Sequence, residues 1–264
     1  MSRLVPLSLL FVLLAGSAAS AGWTQIWSDE FDGSGLPDAK TWGYEKGYVR
    51  NRELQYYTVQ REKNARVEDG HLILEAHRED YEGMRFTSAS LHTRGHGDWR
   101  YGRIEVRAKL PGGVGSWPAI WMLPTKGKFG GWPASGEIDI MEYVGFQPGV
   151  VHGTIHTKAY NHTKGTQKGK TIKAEDCETA FHVYAMEWSE DRIDLFVDDQ
   201  KYFTFENDGQ GDSATWPFGE PFHLKLNIAV GGGWGGQKGV DEAAYPQRMV
   251  IDYVRVYKPA DTSN

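Results

Sequence analysis

The chain of 264 residues carries 29 Lys and Arg against 35 Asp and Glu, a formal charge of −6. With no basic run, it makes a poor binder of nucleic acid or of an anionic membrane. Hydrophobic residues at 40% and aromatics at 13% supply ample apolar surface to bury, so the chain is not disordered.

Arg3, the apolar stretch 4–15 and Ala19-Ser20-Ala21 before Gly22 read as a secretion leader with a small-residue cleavage site. The apolar run is about half of the ~20 residues that span a bilayer. No second such run follows, so stable membrane insertion is not expected. Residues 1–21 are therefore read as a leader, and 22–264 as one exported domain, extracellular or periplasmic, expected to be a monomer. Strand patterns follow at 72–77, then at Ile104, Val106, Ala108 and Leu110, which alternate with Arg103, Glu105, Arg107 and Lys109. Cys177 is the sole cysteine, so no internal disulfide forms. Its acidic neighbours Glu175, Asp176 and Glu178 disfavour a reactive thiolate. Residues 183–188, 193–197 and 202–205 are further strands, with Asp198-Asp199-Gln200-Lys201 as a hairpin turn. Phe222, Leu224, Leu226, Ile228 and Val230 alternate with His223, Lys225, Asn227 and Ala229, predicting one wet face. Residues 241–248 have room for one short helix, and 250–257 close the series as a strand. One all-β antiparallel sandwich is the expected architecture.

The chemistry is concentrated in Glu137-Ile138-Asp139-Ile140-Met141-Glu142. On a strand, Glu137 and Asp139 share a face, and Ile138 and Ile140 take the other. A regular strand would then send Met141 out beside the acids and Glu142 into the core, where an unpaired carboxylate costs several kcal/mol. One extra residue near Ile140-Met141, a β-bulge, returns Glu142 to the acidic face. Three acids on one face repel, which raises at least one pKa, as a general acid near neutral pH requires. Two carboxyls about 5–5.5 Å apart suit retaining glycoside hydrolysis. The flat alternative reading is a solvated acidic edge or a metal-binding patch.

The segment resembles the bulged E-x-D-x-x-E signature of glycoside hydrolase family 16. Matching segments include Trp27-Ser28-Asp29-Glu30-Phe31, Asn51-Arg52-Glu53-Leu54-Gln55-Tyr56-Tyr57, Tyr101-Gly102-Arg103, Gly115-Ser116-Trp117-Pro118-Ala119-Ile120-Trp121-Met122 and Asp252-Tyr253-Val254-Arg255-Val256-Tyr257. The similarity is greatest to the bacterial laminarinase-type endo-β-1,3-glucanases. It implies a β-jelly-roll of two curved antiparallel sheets with a concave cleft. It also implies Glu137 as nucleophile, Glu142 as acid/base and Asp139 as a hydrogen-bonding partner that tunes the nucleophile. No cofactor is expected for catalysis. The expected partner is a β-glucan, β-1,3 or mixed β-1,3-1,4. A galactan such as agarose or carrageenan, and a non-catalytic glucan-binding protein, are the competing readings.

The ten tryptophans exceed what one core needs. Trp188, Trp99 and Trp216 read as core, whereas Trp117, Trp121, Trp132 and Trp234 lie beside Gly- and Pro-rich turns and are expected to pack on sugar faces. Asn51 ranks above Arg52 as a hydroxyl-binding residue, since Arg52 and Glu53 could be an ion pair. His152 and His156 stand too far apart on a strand to share zinc. The resemblance gives His156 a hydrogen-bonding role, and His152 is read as structural. The 231–237 glycine loop is not a phosphate loop. Many laminarinase-like relatives carry Asn or Ser at the position of Gly233, and Gln237 is expected to compensate partly. Glu30, the Gly70 carbonyl and Asp252 resemble a structural calcium site. Asn161-His162-Thr163 is a glycosylation sequon only in a eukaryotic host.

Overall fold

The computed structural model describes residues 22–260, so the expected leader at 1–21 lies outside the described residues. In chain order the strands begin with β1 (Trp23–Asp29), β2 (Gly43–Tyr44), β3 (Gln55–Tyr57), β4 (Ala65–Glu68), β5 (His71–Tyr81), β6 (Met84–Ser88), β7 (Ser90–His92), β8 (Asp98–Trp99) and β9 (Gly102–Lys109). They continue with β10 (Ser116–Pro124), β11 (Glu137–Tyr143), β12 (Val150–His156), β13 (Lys168–Lys173), β14 (His182–Trp188), β15 (Arg192–Val197), β16 (Gln200–Glu206), β17 (Phe222–Val230) and β18 (Gln247–Pro259). One sheet has the order β16-β15-β14-β9-β18-β5-β6-β3, with β1 also on β18 and β4 on β5. The other is β13-β12-β11-β10-β17-β7-β2, with β8 on β17. Neighbours distant in sequence make this a jelly-roll sandwich. Its pairs are antiparallel, apart from the parallel β3–β6 pair.

The alternation read from the sequence places the core between the sheets. Ile104, Val106, Tyr184, Met186, Leu195 and Val254 come from one side, and Ile120, Met122, Ile138, Ile155, Leu224 and Ile228 from the other. Each such side chain contributes about 1.5–3 kcal/mol by leaving water. Trp99 and Trp188 are core residues, and Trp216 is half-buried against the core, on Phe205 and Phe218. Cys177 is buried, and burial pushes its thiol up to about 11. Two local expectations need correction. The 241–248 segment holds only a single helical turn, Glu242–Ala244, started by the Asp241 carboxylate accepting from Ala243 N–H. The hairpin between β15 and β16 turns on Asp198 and Asp199 alone, with Asp198 at φ 53°. Strand β17 is buried along its whole length. Its polar face is not wet but lies under the groups of the site.

The bulge sits where the acids demand it. On the β12 side the register steps from Asp139↔Thr154 to Glu142↔His152, three residues against two. On the β10 side it steps from Ile120↔Met141 to Trp121↔Asp139. Ile140 and Met141 both stay in the core. From the opposite sheet, Tyr202 of β16 donates its hydroxyl to the Ile140 carbonyl at 3.5 Å. Gly153 makes room for it, since a Cβ there would collide with the Tyr202 hydroxyl and Leu195. Gly153→Val should therefore cost about 1–3 kcal/mol by overpacking. Thermal unfolding should show a drop of at least about 2–4 °C. Gly33→Ala, where a Cβ meets nothing within 4 Å, should leave the melting temperature unchanged.

Candidate active site

Strand pairing lays the site out in three rows across one sheet face. His152, Glu142, Ala119, Asn227 and Ser90 make the first. Thr154, Asp139, Trp121, Lys225 and His92 make the second. In the third, Glu137 faces His156; beyond it, on the next two strands, the same sheet face continues to Leu123 and His223. Over these rows lies a cleft of about 1020 Å³. It crosses the strands from Tyr48 and Arg52 at one end to His162 and Gln167 at the other.

Each glutamate is held through one oxygen. The Trp132 indole N–H donates to Glu137 Oε2 at 3.1 Å, and that of Trp117 donates to Glu142 Oε1 at 3.0 Å. Burial raises both carboxyls above their ordinary range, and the Glu142 charge raises Glu137 further. Arg50, the Trp132 N–H and Lys225 oppose this at Glu137, whereas at Glu142 only Trp117 does. The net result is an upward shift to about 8 at Glu137 and to about 7 at Glu142, so the pair can hold a proton at neutral pH, as acid–base chemistry requires. Burial, then Glu137 and Glu142, push Asp139 well above the carboxylate range. His156 Nε2 stands 3.4 Å from Asp139 Oδ2 and 3.7 Å from Glu137 Oε1. Burial and His162 push the His156 imidazole down to about 4. Glu137, Asp139 and His156 are also the one trio that could hold a metal ion among the described residues. Within the trio, Asp139 Oδ2 and His156 Nδ1 are buried without a hydrogen-bond partner.

The cleft gathers the expected aromatics in different capacities. Trp132 is 43% exposed and leans on His162 at 4.9 Å. Trp117 and Trp234 meet edge to face at 5.6 Å. Trp121 is only 7% exposed. Arg50 and Lys225 lie over its ring at 5.1 and 4.7 Å, and its N–H bonds Asn227 Oδ1. Asn51 and Arg52 take left-handed backbone, φ 58° and 57°, an outlier pair of the kind that strain concentrates at binding sites. The Asn51 carbonyl accepts from Gly233 N–H, and its amide donates to Glu53. Glu53 is bonded by Gln55, Asn51 and Tyr57, which take the place of the suggested pairing with Arg52. Gln237 and Gly233 line the cleft. His152, read from sequence as structural, lines it too, with Trp234 at 4.8 Å and Gln147 bonded to Nε2. Arg50, Lys225, Glu45, Tyr48, Asn227 and His162 escaped the sequence reading. Only the polar alternation of β17 pointed towards any of them.

The expected calcium ligands are otherwise engaged. The Glu30 carboxylate is gripped by Arg255 through Nε at 2.9 Å and Nη2 at 2.7 Å. Asp252 pairs with Arg107 at 2.5 Å. Gly70 sits in an exposed turn. As placed, these groups do not fit a cation, which would have to displace both guanidinium groups. A chelator should accordingly leave the melting temperature unchanged; a fall reversed by calcium would show that the arginines yield.

Glu142 has a further consequence for stability. Its carboxyl rises from 4.5 to about 7, so the folded state binds a proton more tightly than the unfolded one. That contribution is whole below pH 4.5 and is lost as pH rises towards 7. Glu142→Gln cannot ionise, so its melting temperature should gain on the parent over that interval, by at least about 2 °C at pH 8. Parallel melting curves that keep a constant offset at all pH would contradict this.

Comparison with known proteins agrees with the geometry. The glycosyl hydrolases family 16 profile matches residues 52–255. A β-glucanase from Rhodothermus marinus is 57% identical over 89% of this chain and 85% of its own length. The X-ray structure of the laminarinase from Rhodothermus marinus superimposes with a TM-score of 0.89 at 56% identity, covering 90% of this chain and 98% of that one. The non-specific endo-β-1,3(4)-glucanase SCLam gives 0.87 at 49% identity, over 92% and 94%. With its bulged acidic strand, its jelly-roll and these matches, the chain belongs to glycoside hydrolase family 16.

Proposed function

We propose that this protein is a retaining endo-β-1,3-glucanase that also accepts mixed β-1,3-1,4-glucan. The observation that carries the reading is the pair of glutamates on one bulged strand, each with an indole N–H on one oxygen, set in a cleft that crosses the sheet. Protonated Glu142 gives its proton to the leaving glycosidic oxygen while ionised Glu137 attacks the anomeric carbon. The C–O bond to the leaving sugar breaks as the bond to Glu137 forms. Glu142, now ionised and steadied by the Trp117 N–H, takes a proton from water. That water then displaces Glu137 with retained configuration. Asp139 and His156 stand beside Glu137 to bond it as its charge is spent and restored. No cofactor enters any step.

The open cleft, lined by Trp132, Trp117 and Trp234, suits internal segments of a polymer whose rings present C–H faces. Residues 1–21 and the lack of any internal disulfide fit export of a monomer, with stability left to core packing. The Arg50 and Lys225 cations turn inward to Glu45 and do not project along the cleft as sulfated-galactan recognition would need.

Glu137→Gln should lose at least about three orders of magnitude in kcat while still binding laminarin. Reducing-end release should be high on laminarin and lichenan and negligible on agarose and carrageenan. Near-normal turnover by the variant, or cleavage of agarose with inactivity on laminarin, would overturn the assignment.

A further inference from the structure

At the Glu137 end of the cleft a second cavity of about 370 Å³ opens, sharing Trp132 and Leu123 with the first. The cleft crosses the strands, but this chamber runs along them, past Leu123 to Pro124 and Thr125. Its floor is His92, His223 and Lys225 on the same sheet face as the catalytic rows. Its outer wall is the loop carrying Gly127, Gly130 and Gly131, where bare backbone can approach a ligand closely.

The polar groups of the floor are only partly used. His223 is 5% exposed, and its Nδ1, like that of His92, is buried with no hydrogen-bond partner. Such buried orphans in a native protein call for a partner. Burial and Lys225 hold both imidazoles below their usual range. They are therefore neutral, each with one nitrogen to donate and one to accept. Lys225 donates to Glu45, which also takes Arg50 and Ser90, so the buried cations are largely compensated inside the wall. Neutral imidazoles, an ammonium with N–H groups to spare and glycine backbone are hydroxyl-reading groups. An anion would meet Glu45 in the wall and Glu137 next door, and the remaining cation of the lining, Arg94, is exposed to solvent. The volume lies at the small end of the roughly 300–1,000 Å³ of ligand sites, and suits one pyranose.

We propose that this chamber binds a single glycosyl side branch of the glucan, carried by the ring beside the nucleophile and directed along the strands. A linear chain would follow the cleft and leave the chamber unused. The proposal rests on the β-glucanase reading above.

The test compares kcat/KM on a linear β-1,3-glucan with that on a β-1,3-glucan bearing single glucosyl branches, for wild type, Gly131→Trp and His223→Leu. A Cβ at Gly131 meets nothing within 4 Å, so the first variant adds bulk at the chamber wall where there is room for a side chain. Both variants should lose about tenfold or more on the branched substrate, equivalent to about 1.4 kcal/mol, with the linear substrate changed less than about twofold. Equal losses on both substrates, or no loss on the branched one, would overturn the proposal. A loss confined to a sulfated glucan would make the chamber an anion site and overturn it as well. Failure of wild type to cleave even the linear glucan would remove the glucanase reading first, and the branch site with it.

Discussion

Three carboxyl groups share one buried sheet face, and most of the site can be understood as the means of tolerating them. Taking Glu137, Asp139 and Glu142 out of water raises every one of their pKa values. The cluster persists because its glutamates keep partners. Two indole N–H groups each fix one carboxylate oxygen, and the imidazole between Asp139 and Glu137 is kept neutral. The cations nearest Glu137 are themselves anchored to Glu45. The cluster is expensive for stability and is retained for what it does to proton affinity, the usual compromise at a catalytic centre.

Trp121 is the hinge of this arrangement although it offers no open ring face to a sugar. Arg50 and Lys225 lie over its ring, so one indole positions both cations. Its N–H begins a chain through Asn227 and Tyr57 to Glu53. Glu53 in turn holds Asn51. The rim and the floor of the cleft are thereby one hydrogen-bonded body, which is how the left-handed pair Asn51 and Arg52 is sustained.

Much of this was legible in the sequence, for local reasons. The bulge followed from a conflict between Met141 and Glu142 over which face to occupy, and the register confirms it. Strand alternation located the core. What could not be read depended on register between distant segments. Lys225 and Glu45 meet across 180 residues, and Arg255 reaches Glu30 across 225, so a patterned view saw a wet strand face and a set of calcium ligands. Burial of the polar face of β17 has the same origin, because neighbours on β7 and in the 45–57 segment cover it. Trp121 kept its place in the cleft but exchanged a stacking role for an electrostatic one, a distinction that spacing does not carry.

The exposed indole of Trp132 has one last implication. Its N–H is committed to Glu137, while its ring is open to the cleft. A sugar resting on that ring and a change of charge on Glu137 thus meet in a single side chain.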